Sequence, residues 1–100
     1  MSWRVIVRST AERDLVEAFH YYASVVPGLG STFMQRVDEA VAAIALVPAG
    51  FRQRHGEFRL LVVNRFPYGV FCLFDATVIS VVAIAPLRSD PEFILHLLKR

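Results

Sequence analysis

Three consecutive segments in the second half of the chain, Phe58 to Asn64, Tyr68 to Asp75 and Val78 to Ala85, are rich in Val, Ile, Leu and Phe. Short turns separate them, so each reads as a β-strand. Tandem strands with tight connections pair antiparallel, because a parallel pair needs a crossover of a dozen or more residues. A sheet with one wet face would alternate apolar and polar residues, and these strands are apolar at nearly every position. Both faces of the meander therefore need cover. That requirement restricts the chain to a layered arrangement in which helices or a partner close each side of a sheet.

The first half supplies the cover. Trp3 to Arg8 alternates, with Trp3, Val5 and Val7 on one side and Arg4, Ile6 and Arg8 on the other, the pattern of an edge strand carrying basic residues. Ser9 and Glu12 have the spacing of a capping box at a helix start. Ala11, Leu15, Ala18, Phe19, Tyr22 and Val26 then recur at helical spacing, and Pro27-Gly28 stops the helix. A second amphipathic stretch from Leu29 to Val47 buries Leu29, Phe33, Val37, Ala40, Val41 and Ile44 and ends at Pro48-Ala49-Gly50. The short break makes the pair an antiparallel hairpin. Pro67 has no amide hydrogen to give a ladder and belongs at the start of its strand. Asp90-Pro91 opens a last helix, a capping residue followed by proline, and Lys99-Arg100 suit its C-terminus. The order is β-α-α-β-β-β-α, an α+β fold with an antiparallel sheet and the N-terminal helical hairpin on one face. The other face awaits the terminal helix, a second copy or a partner.

One hundred residues hold a single domain, 1–100. Of these residues 55% are hydrophobic, and the mean hydropathy is +0.46. A membrane-spanning helix needs about 20 consecutive apolar residues, and the longest runs, Ala40 to Gly50 and Val78 to Leu87, fall short. A soluble, cytoplasmic chain with more apolar surface than its core requires is the expectation, and such surplus marks a surface that a partner covers. The net charge of +2 is mildly basic and favours acidic partners without naming one. The lone cysteine, Cys72, lies in an apolar run, which excludes an intramolecular disulfide and reads as a buried, inert thiol. His20, His55 and His96 are too scattered for a metal site.

Several local motifs, in order over nearly the whole chain, resemble the RelE/ParE superfamily of type II toxin–antitoxin toxins. They are Asp14-Leu15 in the first helix, Tyr21-Tyr22, Pro27-Gly28-Leu29-Gly30 with Phe33, Arg65-Phe66-Pro67-Tyr68 before the central hairpin, the Val81-Val82-Ala83-Ile84-Ala85 strand, and Arg88 with Asp90-Pro91. The Arg-Phe-Pro-Tyr turn looks like the ParE branch. That branch ends in His-x-Arg-Arg-Asp-Pro, where this chain reads Pro86-Leu87-Arg88-Ser89-Asp90-Pro91. The resemblance implies a growth-inhibiting toxin of the plasmid-stabilisation kind that binds DNA gyrase through its surface, needs no cofactor and is neutralised by a cognate antitoxin. Arg88, Asp90 and Phe93 are then the candidates for target contact. Leu61, Val63, Arg65, Phe71 and Leu97 are the candidates for the antitoxin, as a homodimer or a toxin–antitoxin hetero-oligomer.

Two other readings stay open. A RelE-like mRNA endonuclease working on the ribosome would use Arg52, Arg54, His55, Arg59 and Arg88, with His55 as acid or base and arginines clamping phosphate. Against it, Arg52 to Arg59 also reads as a solvated basic loop, and no tyrosine follows Arg88. A toxin-fold protein without target activity is the other, supported by Pro86 and Ser89 at positions where the resemblance expects histidine and arginine. Neither membrane nor small-molecule substrate enters any of the three.

Overall fold

The computed structural model describes residues 4–46, 58–75 and 77–100. Their elements run β1 (Arg4–Val7), α1 (Ser9–Val25), α2 (Leu29–Leu46), β2 (Phe58–Val62), β3 (Tyr68–Asp75), β4 (Val78–Pro86) and α3 (Pro91–Leu98), the order expected from the sequence. The Pro48-Ala49-Gly50 stop lies outside the described residues.

The sheet has the strand order β1-β4-β3-β2. Its last three strands form the expected antiparallel meander, Asp75 pairing with Val78 across the tight β3–β4 connection. The expectation of a wholly antiparallel sheet is corrected at β1, which lies parallel to β4 with Val5 against Ile79 and Val7 against Val81. The helical hairpin is long enough to act as a crossover, so β1 is free to join β4 from the far side. This order puts the most apolar strands, β3 and β4, in the centre. The edges fall to β1 and β2, which carry arginines, the usual protection of an edge.

The α1 start also departs from the sequence pattern. Arg8 is the cap residue, its backbone extended and its side chain not capping, and Ser9 is already helical. The Arg8 N–H still donates to Val81 O of β4, so strand passes into helix with no spare residue for a capping box. The hydroxyl of Thr10 donates to Val82 O at 3.1 Å and the Asp14 carboxylate accepts from the Ile84 N–H at 3.1 Å. Side chains of α1 thus take over from β1 as partners of the β4 edge.

Helices α1 and α2 turn about Gly28, whose φ of +85° favours glycine. They approach closely at Gly30, where a Cβ would sit 2.8 Å from the Phe19 carbonyl oxygen. Their apolar stripes, with Ala11, Ala18, Phe33, Val37 and Ile44, pack on Leu61, Val63, Val70, Cys72, Ile79, Val81 and Ile84 of the sheet. At the end of this core Tyr22, Phe33, Phe66 and Tyr68 meet, Tyr22 and Phe66 edge to face at 4.9 Å and Phe33 and Tyr68 edge to face at 5.2 Å between ring centroids.

The opposite face is closed by α3. Its Ile94, Leu97 and Leu98 cover Phe71, Val82, Ala83 and Ala85. A register shift beside Phe71 and Cys72 makes Val82 the extra residue of β4, which turns Val82 and Ala83 both toward α3. Strands β3 and β4 are therefore sealed on both faces within the chain. The expected apolar surplus sits elsewhere, on the sheet edges at Ile6, Val7 and Val62 and at the hairpin tip at Tyr21, Val25 and Val26.

Phe33 is fully buried at the junction of both helices, the sheet and the aromatic cluster. Phe33→Ala should cost about 3–5 kcal/mol of folding stability, read by urea denaturation, whereas Phe93→Ala on the exposed face of α3 should move the midpoint little.

Candidate functional site

Two turns that lie far apart in sequence meet at one end of the sheet. In the Arg65-Phe66-Pro67-Tyr68 turn, Arg65 has a positive φ of 69° and the Val63 N–H donates to Tyr68 O at 2.9 Å. This geometry drives the Phe66 ring into the aromatic cluster and leaves the Arg65 side chain in solvent. The Pro86–Asp90 turn joins it through the Leu87 N–H, which donates to Pro67 O at 2.9 Å, and Tyr68 pairs with Pro86 in the sheet. Both the amide and the hydroxyl of Ser89 donate to Pro86 O, at 3.1 and 2.7 Å. Arg88 therefore projects from a turn fixed at both of its feet.

Beside these turns a groove of about 380 Å³ runs between α1, the end of β4 and α3. Tyr21, Tyr68, Pro86 and Phe93 supply apolar walls, and Arg13, Asp14, Glu17 and Arg100 supply charge. The floor is a junction built on Asp14. Arg100 grips its carboxylate with two nitrogens, at 3.0 and 2.6 Å, and the Arg100 Nε donates to Leu97 O at 3.1 Å. Asp14 is half-buried and Arg100 reaches it from the exposed chain end, and the fork ties α3 to α1 while Asp14 also holds the β4 amide. The hydrogen bond to Asp14 is the main reason that the guanidinium pKa is raised above its ordinary value. Neither the Asp14–Arg100 pair nor the role of Tyr21 follows from the sequence, since the partners lie 86 residues apart.

The structure distributes the sequence candidates unevenly. Arg88 is exposed, Phe93 stands half-exposed on the groove wall, and Asp90 caps α3 by accepting from the Glu92 N–H at 3.0 Å. Arg52, Arg54 and His55 lie outside the described residues. Arg59 lies on β2 opposite Cys72 with its guanidinium 4.1 Å over the Phe74 ring, whereas Arg88 follows the Tyr68 end of the sheet. Four strand residues separate those levels, about 13 Å along the sheet, and the Arg59 guanidinium is turned onto the Phe74 ring. Among the antitoxin candidates only Arg65 is exposed. Leu61, Val63, Phe71 and Leu97 are 1%, 1%, 3% and 8% exposed, which corrects the expectation that they offer surface. Two-sided apolarity gives these strands two covered faces instead of an open one.

Burial raises the Tyr22 and Tyr68 hydroxyl pKa values and pushes the Cys72 thiol up to about 12, so Cys72 is no nucleophile at neutral pH. Among the described residues no group of His, Cys, Asp and Glu could hold a metal ion, and no helix is long and apolar enough to cross a membrane.

The family model of the ParE toxin of the type II toxin–antitoxin system parDE matches residues 5–91. The chain belongs to the ParE toxin family. The match spans both joined turns. Among solved structures the fold is similar to the chromosomal ParDE system of P. aeruginosa, with a TM-score of 0.75 and 17% identity over 85% of this chain and 96% of that one. It is also similar to a double arginine mutant of the E. coli toxin RelE in the free state, with a TM-score of 0.72 and 13% identity over 100% and 98% of the two chains. The RelBE2 toxin–antitoxin complex of Mycobacterium tuberculosis aligns with a TM-score of 0.57 and 16% identity over 86% and 99%. No curated protein matches the chain.

Two measurements check this site. Asp14→Ala should leave the Ile84 amide and Arg100 without their acceptor at a cost of about 1–3 kcal/mol, and should speed hydrogen exchange of the α3 amides. Folded Cys72 keeps its proton where the unfolded thiol loses it, near the ordinary value of 9.0. Stability should therefore fall above that pH, by about 1.4 kcal/mol per unit toward about 12. Urea titrations at a series of pH values should show this slope, and Cys72→Ala should remove it below the ordinary tyrosine value of 10.0, leaving above it the slope of the same sign that Tyr22 and Tyr68 contribute.

Proposed function

We propose that the chain is a toxin that inhibits DNA gyrase by binding its surface, and that a cognate antitoxin neutralises it. The observation that carries this reading is the ParE family match over residues 5–91. Arg88 on its anchored turn and Phe93 on the groove wall supply a fixed cation and an exposed aromatic ring, residue types enriched in protein interfaces. Antitoxin binding is supported by the names of the similar structures, a ParDE system and a RelBE2 toxin–antitoxin complex. A partner of this kind recovers the entropy of its own ordering by covering apolar surface, and the exposed Ile6, Val7, Val62, Tyr21, Val25 and Val26 provide some.

Purified protein added to gyrase, relaxed plasmid and ATP should abolish supercoiling. Arg88→Ala and Phe93→Ala should each raise the concentration required by about tenfold or more. Intact supercoiling together with mRNA cleavage on ribosomes would overturn the gyrase reading in favour of an endonuclease. Unimpaired growth on induced expression without antitoxin would leave a toxin fold that only binds.

A further inference from the structure

The backbone of Arg65 lies in the left-handed region, at a φ of 69°. Glycine or asparagine takes this conformation at little cost, whereas a side chain as large as that of arginine is crowded there. The turn needs the geometry. It closes with the Val63 N–H on Tyr68 O and the Tyr68 N–H on Phe66 O, at 2.9 and 2.8 Å, and it buries Phe66. It does not need the arginine, whose side chain is exposed and, among the described residues, is in no ion pair. A crowded residue whose side chain does nothing for the fold points to a role outside it.

The Leu87 N–H donates to Pro67 O at 2.9 Å and Tyr68 pairs with Pro86, so the turns that carry Arg65 and Arg88 form one surface joined through backbone. Arg88 is likewise exposed and, among the described residues, in no ion pair. Pro67, Pro86 and Leu87, all exposed, lie at the junction. Both turns sit inside residues 58–75 and 77–100, and Arg4, Phe58 and Asp75 fall at the opposite end of the sheet.

We infer that Arg65 and Arg88 work as a pair, gripping carboxylates on the protein that the toxin inhibits, with Pro67, Pro86 and Leu87 making the apolar contact beside them. The inference rests on the gyrase reading above, and it moves Arg65 from the antitoxin, where the family resemblance placed it, to the target. A guanidinium meets a carboxylate with two parallel hydrogen bonds, and turns already fixed lose little freedom when a partner binds. A nucleic acid fits poorly. Phosphate backbones are held by many cations at once, whereas these two arginines share their end of the molecule with exposed Asp90 and Glu92. Arginine beside apolar surface is the composition of a protein interface.

Inhibition of gyrase supercoiling by the full chain reads the pair. Arg65→Gly should raise the inhibitory concentration about tenfold, and Arg65→Lys, which keeps the charge without the fork, should fall between. Relief of the left-handed crowding offsets the looser unfolded chain of glycine, so Arg65→Gly should not lower the melting temperature. Lys99→Glu, a larger charge change at the end of α3, should leave inhibition unchanged. Hydrogen exchange of the chain bound to gyrase should slow in both turns. Unchanged inhibition by Arg65→Gly, a loss that follows a lowered melting temperature, or protection of only one turn would overturn the inference. So would a short DNA or RNA duplex that binds the wild-type chain and not Arg65→Gly. If Arg65→Gly inhibits gyrase as well as the wild type does, the pair is wrong and the gyrase reading stands. If the wild type leaves supercoiling intact, the gyrase reading falls and growth on induced expression decides the pair. Arrest by the wild type but not by Arg65→Gly supports it; equal arrest, or none by either, overturns it.

Discussion

Strand β4 has almost no polar surface to offer water. From Ile79 to Ala85 every residue except Ser80 is buried, so both of its faces and both of its edges must find partners inside the chain. The helical hairpin takes one face and α3 the other. Strand β3 takes one edge, and β1 takes the other as far as Val81. Beyond that point Thr10 donates and Asp14 accepts in place of a strand, because a buried main-chain group left without a partner costs about 1–3 kcal/mol. The parallel placement of β1, the abrupt start of α1 and the charged floor of the groove all follow from satisfying this one strand.

The same demand explains why the functional surface lies at the periphery. Apolar strand residues are consumed by the interior, which leaves binding to edges, turns and the hairpin tip. Among the described residues, the anchored Arg88 turn and the β1 edge are two places where fixed backbone and exposed charge reach solvent together. They belong to different ends of the molecule, β1 beside the Val78 end of β4 and Arg88 beyond its Pro86 end.

The sequence read the elements well because each is written locally: alternation gives β1, the 3.6-residue stripe gives α1 and α2, and the Asp90-Pro91 cap gives the start of α3. It also read the family, since the ordered motifs are local too. Its site residues fared less evenly. Arg88 and Phe93 are exposed, but Leu61, Val63, Phe71 and Leu97 are core residues. An apolar run states that a strand is covered and does not state by what, so interior and interface look alike along the chain.

What the sequence determined by itself is the set of elements, their amphipathic faces and the need to cover a sheet on both sides, because these depend on neighbours within a turn or two. Only the tertiary structure decided which cover was used, where β1 joins, and that Asp14 meets Arg100 across 86 residues. Those outcomes depend on how the main-chain and charged groups of distant segments satisfy one another, and no local pattern records such pairings.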